Sequence, residues 1–144
     1  MALDLNVKNI QPIKGLTVYE VAPALHNVIV AGDATLKAGD FVKLNTSSTN
    51  IDAAEVVAAG ASDAVFGIVK FTPVKDAFVA GDKVAIAQSG CVVWCEAAAA
   101  IAVGAELYHT AENKVTSSDP GSGTKYGVAL TKATSAGDLI QVQL

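Results

Sequence analysis

Four aspartates in this 144-residue chain directly follow a glycine, and they are the first candidates for chemistry: Asp33, Asp40, Asp82 and Asp138. Paired carboxylates work as acid and base only when packing brings them within several ångströms. A calcium loop draws several oxygens from one short segment. Each of these aspartates stands alone in its own turn signal. The spacing therefore favours neither catalysis nor metal binding.

Three of the four belong to a repeated phrase, Ala-Gly-Asp followed by alternating apolar residues: KAGDFVKL, VAGDKVAI and SAGDLIQV. We predict a type II turn followed by a strand, because the glycine accepts the positive φ that such a turn requires. The aspartate would bond nearby backbone N–H groups as the strand begins. The predicted structural turn residues are Gly39, Asp40, Gly81, Asp82, Gly137 and Asp138.

Two cysteines and two histidines are the remaining candidates. Cys91 and Cys95 fall in a predicted strand, where four residues span about 13 Å, which is too far for a disulfide. A zinc site would need two more ligands, and His26 and His109 stand alone in the sequence. We expect reduced, buried cysteines and histidines that lie at the surface or are satisfied by hydrogen bonds. No metal, cofactor or catalytic residue is predicted, since no phosphate loop or Ser-His-Asp pattern appears.

The candidate residues lie in or beside short segments in which apolar and polar residues alternate, and turn signals separate these segments. Such spacing predicts an all-β fold, a small β-barrel or β-sandwich of about nine or ten short strands. Two alanine-rich stretches, 52–60 and 96–106, favour helix by propensity but are too short to form one alone, so at most one or two helical turns are expected. In VFGIVKF, a strand buried on both sides, Gly67 marks a bulge or a close approach. NKVTSSDPGSGT is predicted to be a long loop.

Residues 1–15 differ from the rest of the sequence because their apolar residues follow neither a strand nor a helix period. We predict an extended N-terminal arm at 1–15, followed by a single β-domain at 16–144. Such an arm can add a strand to the exposed sheet edge of a partner, and a frayed terminus is the alternative. The apolar side chains that would anchor the arm to a partner are Leu5, Val7, Ile10 and Ile13.

Charge and hydropathy exclude several classes of partner. The net charge is −4, and the ten basic residues are scattered singly. Nucleic acid and anionic membrane surfaces need a clustered positive face. The longest apolar stretch, AAAAIAVGA, is far short of the ~20 residues that span a bilayer. We expect no secretion signal, because the first residues show no basic segment followed by an apolar run. We expect a soluble protein made in the cytoplasm that binds neither nucleic acid nor membrane directly.

The order of the phrases resembles the capsid decoration, or cement, proteins of tailed bacteriophages. KAGDFVKL, VFGIVKF, VAGDKVAIAQSGCVVW, an alanine-rich stretch, VGAELY and YGVALTKATSAGDLIQVQL follow the family's pattern over roughly residues 36–144. Ala105 departs from it, since the pattern prefers aspartate there. The resemblance implies a non-enzymatic structural protein of the virion that binds the outer surface of the phage head at capsomer junctions and stabilises the shell. Its implied partners are the major capsid protein and other copies of itself, with a trimer favoured over a dimer.

A non-catalytic binding module is the alternative, either ligand-binding, carbohydrate-binding or carrier-like. Gly-Asp-x-Val phrases also occur in lipoyl and biotinyl carriers, but VKDA around Lys75 reverses the order of the Asp-Lys-Ala that such carriers use. Trp94 and Tyr108 are candidate interface aromatics, with packing in the core as the favoured alternative.

Overall fold

Short β-strands form all of the regular structure in the described residues, which are 12–19, 25–32, 35–121 and 123–144. The structure is a computed structural model. These residues contain thirteen strands and no helix, so the predicted all-β class is confirmed. In chain order the strands are β1 Thr17–Tyr19, β2 Leu25–Val30, β3 Leu36–Lys37, β4 Phe41–Leu44, β5 Ala54–Ala58, β6 Gly67–Val69, β7 Ala77–Phe78, β8 Lys83–Ala87, β9 Val92–Glu96, β10 Tyr108–His109, β11 Val115–Thr116, β12 Val128–Ala129 and β13 Leu139–Gln143.

Five strands close into a barrel in the order β2-β5-β4-β6-β8, and β8 returns to pair with β2. β2 and β5 run parallel, whereas the other neighbours in the barrel are antiparallel. β-Branched and aliphatic side chains dominate one buried cluster, which also takes in the two-stranded ribbon of β3 and β7. Its members are Val28, Val30, Leu36, Val42, Val56, Val69, Phe78, Val84 and Ile86.

A second, four-stranded sheet has the order β1-β9-β13-β12 and is antiparallel throughout. Its longest pairing joins β9 to β13. Val93 and Ile140 of this sheet are fully buried and share one cluster with Phe41 and Ile68 of the barrel. The sheet therefore packs against the barrel through a common core.

The two ends of the barrel can be told apart by their loops. Residues 70–76 follow β6 and residues 45–53 follow β4, and because β4 and β6 are antiparallel neighbours these loops lie at opposite ends. The β3–β7 ribbon lies at the end with residues 70–76. Gly39 N–H donates to Val69 O at 2.8 Å there, where β6 ends.

The structure adds two strands to the sequence-based assignment, one in a stretch where at most a helical turn was expected and one inside a predicted loop. Residues 54–58, in a stretch for which a helical turn was allowed, form β5. The β-branched pair Val56 and Val57 suits a strand, and barrel pairing with β2 and β4 outweighs the helix propensity of the alanines around it. The predicted loop NKVTSSDPGSGT contains β11 at its start. The strand count also exceeds nine or ten, because five strands have only two residues and show no alternation to detect.

Gly67 lies at a close approach between two barrel strands, as its position in VFGIVKF predicts. All three residues of β6 are buried. A Cβ on Gly67 would overlap the Ile86 side chain and would lie 2.7 Å from the carbonyl oxygen of Ala87. Only glycine lets β6 and β8 come this close.

Candidate functional site

The three Ala-Gly-Asp phrases share one turn geometry. The glycine φ angles are +85° at Gly39, +89° at Gly81 and +92° at Gly137. In each turn the aspartate N–H donates to the carbonyl oxygen three residues earlier. The N–H of that earlier residue donates back to the carboxylate, at 2.7 Å for Asp40, 2.8 Å for Asp82 and 3.1 Å for Asp138. Each carboxylate thus bonds the backbone of its own turn.

The pKa values of these aspartates follow from those local bonds. The hydrogen bond from Lys75, and then that from Val79 N–H, lower the pKa of Asp82. Hydrogen bonds from Thr134, backbone first, lower the pKa of Asp138. Burial raises the pKa of Asp40 in spite of its bond from Lys37. None of the three shifts has another carboxylate among its causes, so the structure pairs none of these aspartates with a second carboxylate.

Two further turns extend the pattern. At residues 102–105 the Ala105 N–H donates to Ala102 O at 3.2 Å, and Gly104 has a φ of +81°, so the turn forms without an aspartate. At residues 60–63 an aspartate turn appears that sequence reasoning missed. Gly60 N–H donates to the Asp63 carboxylate at 2.7 Å, and Asp63 N–H donates to Gly60 O at 3.0 Å. Gly60 and Asp63 are three residues apart in GASD, which was the available signal.

The cysteines are buried and free, as the sequence predicts. Burial raises the pKa of the Cys95 thiol to about 12, so this thiol is a poor nucleophile at neutral pH. No group of three or more metal-ligating side chains occurs within the described residues.

His109 is a core residue, fully buried against Phe41, whose ring centroid is 5.3 Å from its own. Its Nε2 lies 2.7 Å from Gly60 O and donates to that carbonyl. Among the described side chains, His109 Nδ1 and the Tyr126 hydroxyl are buried without a partner. His109 is therefore satisfied at one nitrogen only. The side chain of His26 lies outside the described residues, as does Asp33.

Of the four predicted arm anchors, Leu5, Val7 and Ile10 lie outside the described residues. Ile13 is 38% exposed. It begins a turn in which Leu16 N–H donates to Ile13 O at 2.9 Å. The chain next joins the four-stranded sheet, where Gly15 N–H donates to Trp94 O.

A groove of about 450 Å³ opens at the barrel end that carries residues 70–76. We call it the lysine groove. Lys75 is ion-paired with Asp82 at 2.5 Å, and its ammonium lies 5.9 Å from the centroid of the Phe78 ring. The lysine that the carrier alternative would present is thus held against the protein surface. The residues that define the groove are Lys70, Phe71, Val74, Lys75, Phe78 and Lys83.

A second groove, of about 460 Å³, is lined by residues around the start of the opposite loop, including Lys43, Leu44 and Phe66. Here Lys43 forms an ion pair with Asp63 at 2.8 Å. The two charges offset each other, so this groove offers little net charge to a ligand.

Apolar side chains are exposed on several loops. Ile51 is 95% exposed, Val74 89% and Val103 64%. Trp94 and Tyr108 are half-buried, and neither belongs to a buried cluster. Apolar residues that are exposed singly in this way are normal at protein surfaces and do not by themselves mark a contact site.

Comparison with known proteins identifies the family of the chain. The family model described as phage cement protein matches residues 24–144, which include the whole barrel and three strands of the four-stranded sheet. A search of curated proteins found no match. The described residues contain no helix of a length and hydropathy that would cross a membrane. Because the match covers most of the sequence, the chain belongs to the phage cement protein family.

Proposed function

We propose that this protein decorates the outer surface of a phage head, where it binds the major capsid protein at junctions between capsomers and stabilises the shell. The observation that carries the proposal is the family match across residues 24–144. The proposed role is structural and not enzymatic, and its place is the capsid of the virion.

The physical character of the domain supports this role. Its strands are linked by turns that their own aspartates bond, and only 17% of its residues are charged. A pre-ordered surface with few long side chains loses little conformational entropy when it docks.

We further propose that copies of the chain associate, as a trimer in preference to a dimer. An oligomer whose copies each contact a different coat subunit gains avidity without better individual contacts. Val18 and Leu130, which are 48% and 39% exposed on or beside the four-stranded sheet, are apolar groups that such an assembly would cover.

The test uses DNA-filled heads from which this protein has been removed. We expect the purified protein to co-sediment with these heads, to raise the temperature at which they release DNA, and to elute as an oligomer in light scattering. Heads of an unrelated phage are the control. A strictly monomeric protein with no affinity for the heads would contradict the proposal.

The arm is tested in the same assay with a chain that lacks residues 2–13. If residues 1–15 bind a neighbouring subunit, this chain should decorate heads more weakly than the full-length protein. Equal affinity of the two chains would show that residues 2–13 do not contribute to binding. The proposed decoration role would not be affected by that result.

A further inference from the structure

We propose that the outward face of the four-stranded sheet is the surface through which copies of this chain associate. We call it the sheet face, and its residues are Val92, Trp94, Val128, Leu139, Gln141 and Gln143. This inference rests on the association of copies proposed above and names the surface and the partner, which is a second copy of the chain.

The register of the strands makes the sheet face one continuous patch. Trp94 pairs with Gln141, and Gln143 pairs with both Val92 and Val128. Paired residues of antiparallel strands place their side chains on the same face, about 4.5–5.5 Å apart. The apolar residues of the sheet face are therefore neighbours of one another and of the two glutamines, in contrast to the apolar residues that are exposed singly on the loops.

The other face of the same sheet is the one that packs against the barrel. The residues that alternate with the sheet face belong to the buried cluster that the sheet shares with the barrel, and they are Val93, Cys95, Ala129, Ile140 and Val142. Within the described residues, none of the apolar sheet-face residues belongs to either buried cluster or packs against one. The sheet face thus points away from the core.

The sheet face differs from the outside of the barrel in its charge. Lys43 and Glu55 alternate with buried residues of the barrel strands, as is usual for a surface that faces water. The four strands of the sheet contain a single charged residue, Glu96, at the end of β9. It forms ion pairs with Lys14 at 3.9 Å and with Lys114 at 2.9 Å. An apolar and amide centre beside paired charges resembles the core and rim of a protein interface.

Charge and hydrogen-bonding capacity favour a second copy as the partner. Copies of a chain with a net charge of −4 repel one another where acidic surfaces meet, and the uncharged sheet face avoids that repulsion. The side-chain amides of Gln141 and Gln143 both donate and accept hydrogen bonds, so the same face of another copy can satisfy them. A charged foreign partner would need an opposite charge here. Identical faces can also meet at the axis of a closed symmetric assembly.

The experiment measures the self-association of the purified protein by sedimentation over a range of concentrations. Trp94 is the only tryptophan of the sequence, so its fluorescence gives a second readout from within the sheet face. Gln143→Glu and Gln143→Lys each put a charge at an exposed position of β13, which lies between β9 and β12.

Val128→Glu makes a similar change at a 38% exposed valine of β12. Its matched control, Val79→Glu, places the same side chain at a 51% exposed valine outside the sheet. Thermal unfolding of all four variants checks that they fold.

We expect each of the three sheet-face variants to raise the dissociation constant of the assembly at least about tenfold, because like charges then meet across the interface. Val79→Glu should stay within about twofold of the wild type. An equimolar mixture of Gln143→Glu and Gln143→Lys should associate at least about tenfold more tightly than either variant alone, since the facing charges then have opposite signs. The emission of wild-type Trp94 should shift to longer wavelength on dilution, as water reaches the sheet face.

Sheet-face variants that associate like the wild type, or a mixture that associates no better than its components, would overturn the inference and leave the proposed decoration role standing. Variants that keep their self-association but lose binding to phage heads would also overturn it and would assign the sheet face to the coat protein. The same holds if deleting residues 2–11 shifts the Trp94 emission without changing association, because the chain's own first residues would then cover the face. A wild-type protein that is monomeric at every concentration would overturn this inference and the proposed oligomer together, whereas binding to heads is measured separately.

Discussion

Gly67→Ala is the substitution that tests the packing of the barrel most directly. The new Cβ would overlap the Ile86 side chain and would lie 2.7 Å from Ala87 O. A carbon and a carbonyl oxygen normally stay at least about 3.3 Å apart, so the two strands must separate by roughly 0.6 Å at this point. Neither strand can move freely, because β6 also pairs with β4 and β8 also pairs with β2.

The expected cost follows from two opposing effects. Overpacking a core costs about 1–3 kcal/mol, and the closed barrel places Gly67→Ala at the upper end of that range. Replacing glycine restricts the unfolded chain and returns about 0.4–1 kcal/mol. The net loss is therefore about 2 kcal/mol, which lowers the Tm by roughly 4–8 °C in a domain of this size.

The assay is thermal unfolding followed by circular dichroism, with Gly60→Ala as the matched control. Gly60 is exposed and does not have a positive φ. The atom nearest to its added Cβ is a carboxylate oxygen of Asp63 at 3.3 Å, on a side chain that can move. We expect Gly60→Ala to change the free energy of unfolding by less than about 0.5 kcal/mol. If both variants have the wild-type Tm, the close approach of β6 and β8 is refuted.

Two further predictions concern the turns and the thiols. Because backbone bonds lower the pKa of Asp138 in the folded state, its ionised form stabilises the fold, and that contribution is lost as the pH falls below the ordinary value of 3.8. Asp138→Asn should therefore lower the Tm at neutral pH by an amount that shrinks on acidification, and a difference independent of pH would contradict this. Cys91 and Cys95 are buried, so a thiol reagent should modify them only after denaturation, and rapid labelling of the folded protein would contradict their burial.

The sequence predicted those features that depend on a few neighbouring residues. A type II turn with a positive-φ glycine and a back-bonding aspartate is decided within four residues, so KAGD, VAGD and SAGD were sufficient. The close approach at Gly67 could also be predicted, since a glycine inside an apolar strand commonly marks a bulge or a close approach of another backbone.

Features set by distant contacts escaped prediction. The alanines of β5 favour helix locally, and only pairing with β2 and β4 makes the segment a strand. The buried His109 makes its hydrogen bond to Gly60 O, which is 49 residues away in the sequence. Asn113, a non-glycine residue with a φ of +58°, accepts a hydrogen bond from Phe41 N–H across 72 residues. No local pattern signals such contacts.

The lysine groove escaped prediction for a different reason. Its lysines are separated by apolar and small residues, so the chain shows no basic run between Lys70 and Lys83. Folding the loop between β6 and β8 over Phe78 brings them together. A count of charges along the sequence thus does not show which lysines the fold brings together.

Weak contacts in each copy would suffice for the proposed decoration if several copies act together. Each exposed lysine contributes little to affinity by itself, because water and salt screen it. An oligomer that engages several coat subunits multiplies small contributions, since each bound copy raises the effective concentration of the next. A loss of affinity in each copy is multiplied in the same way. A substitution that weakens the contact of one copy is repeated in every copy and should therefore appear mainly as faster dissociation of the whole assembly from the head.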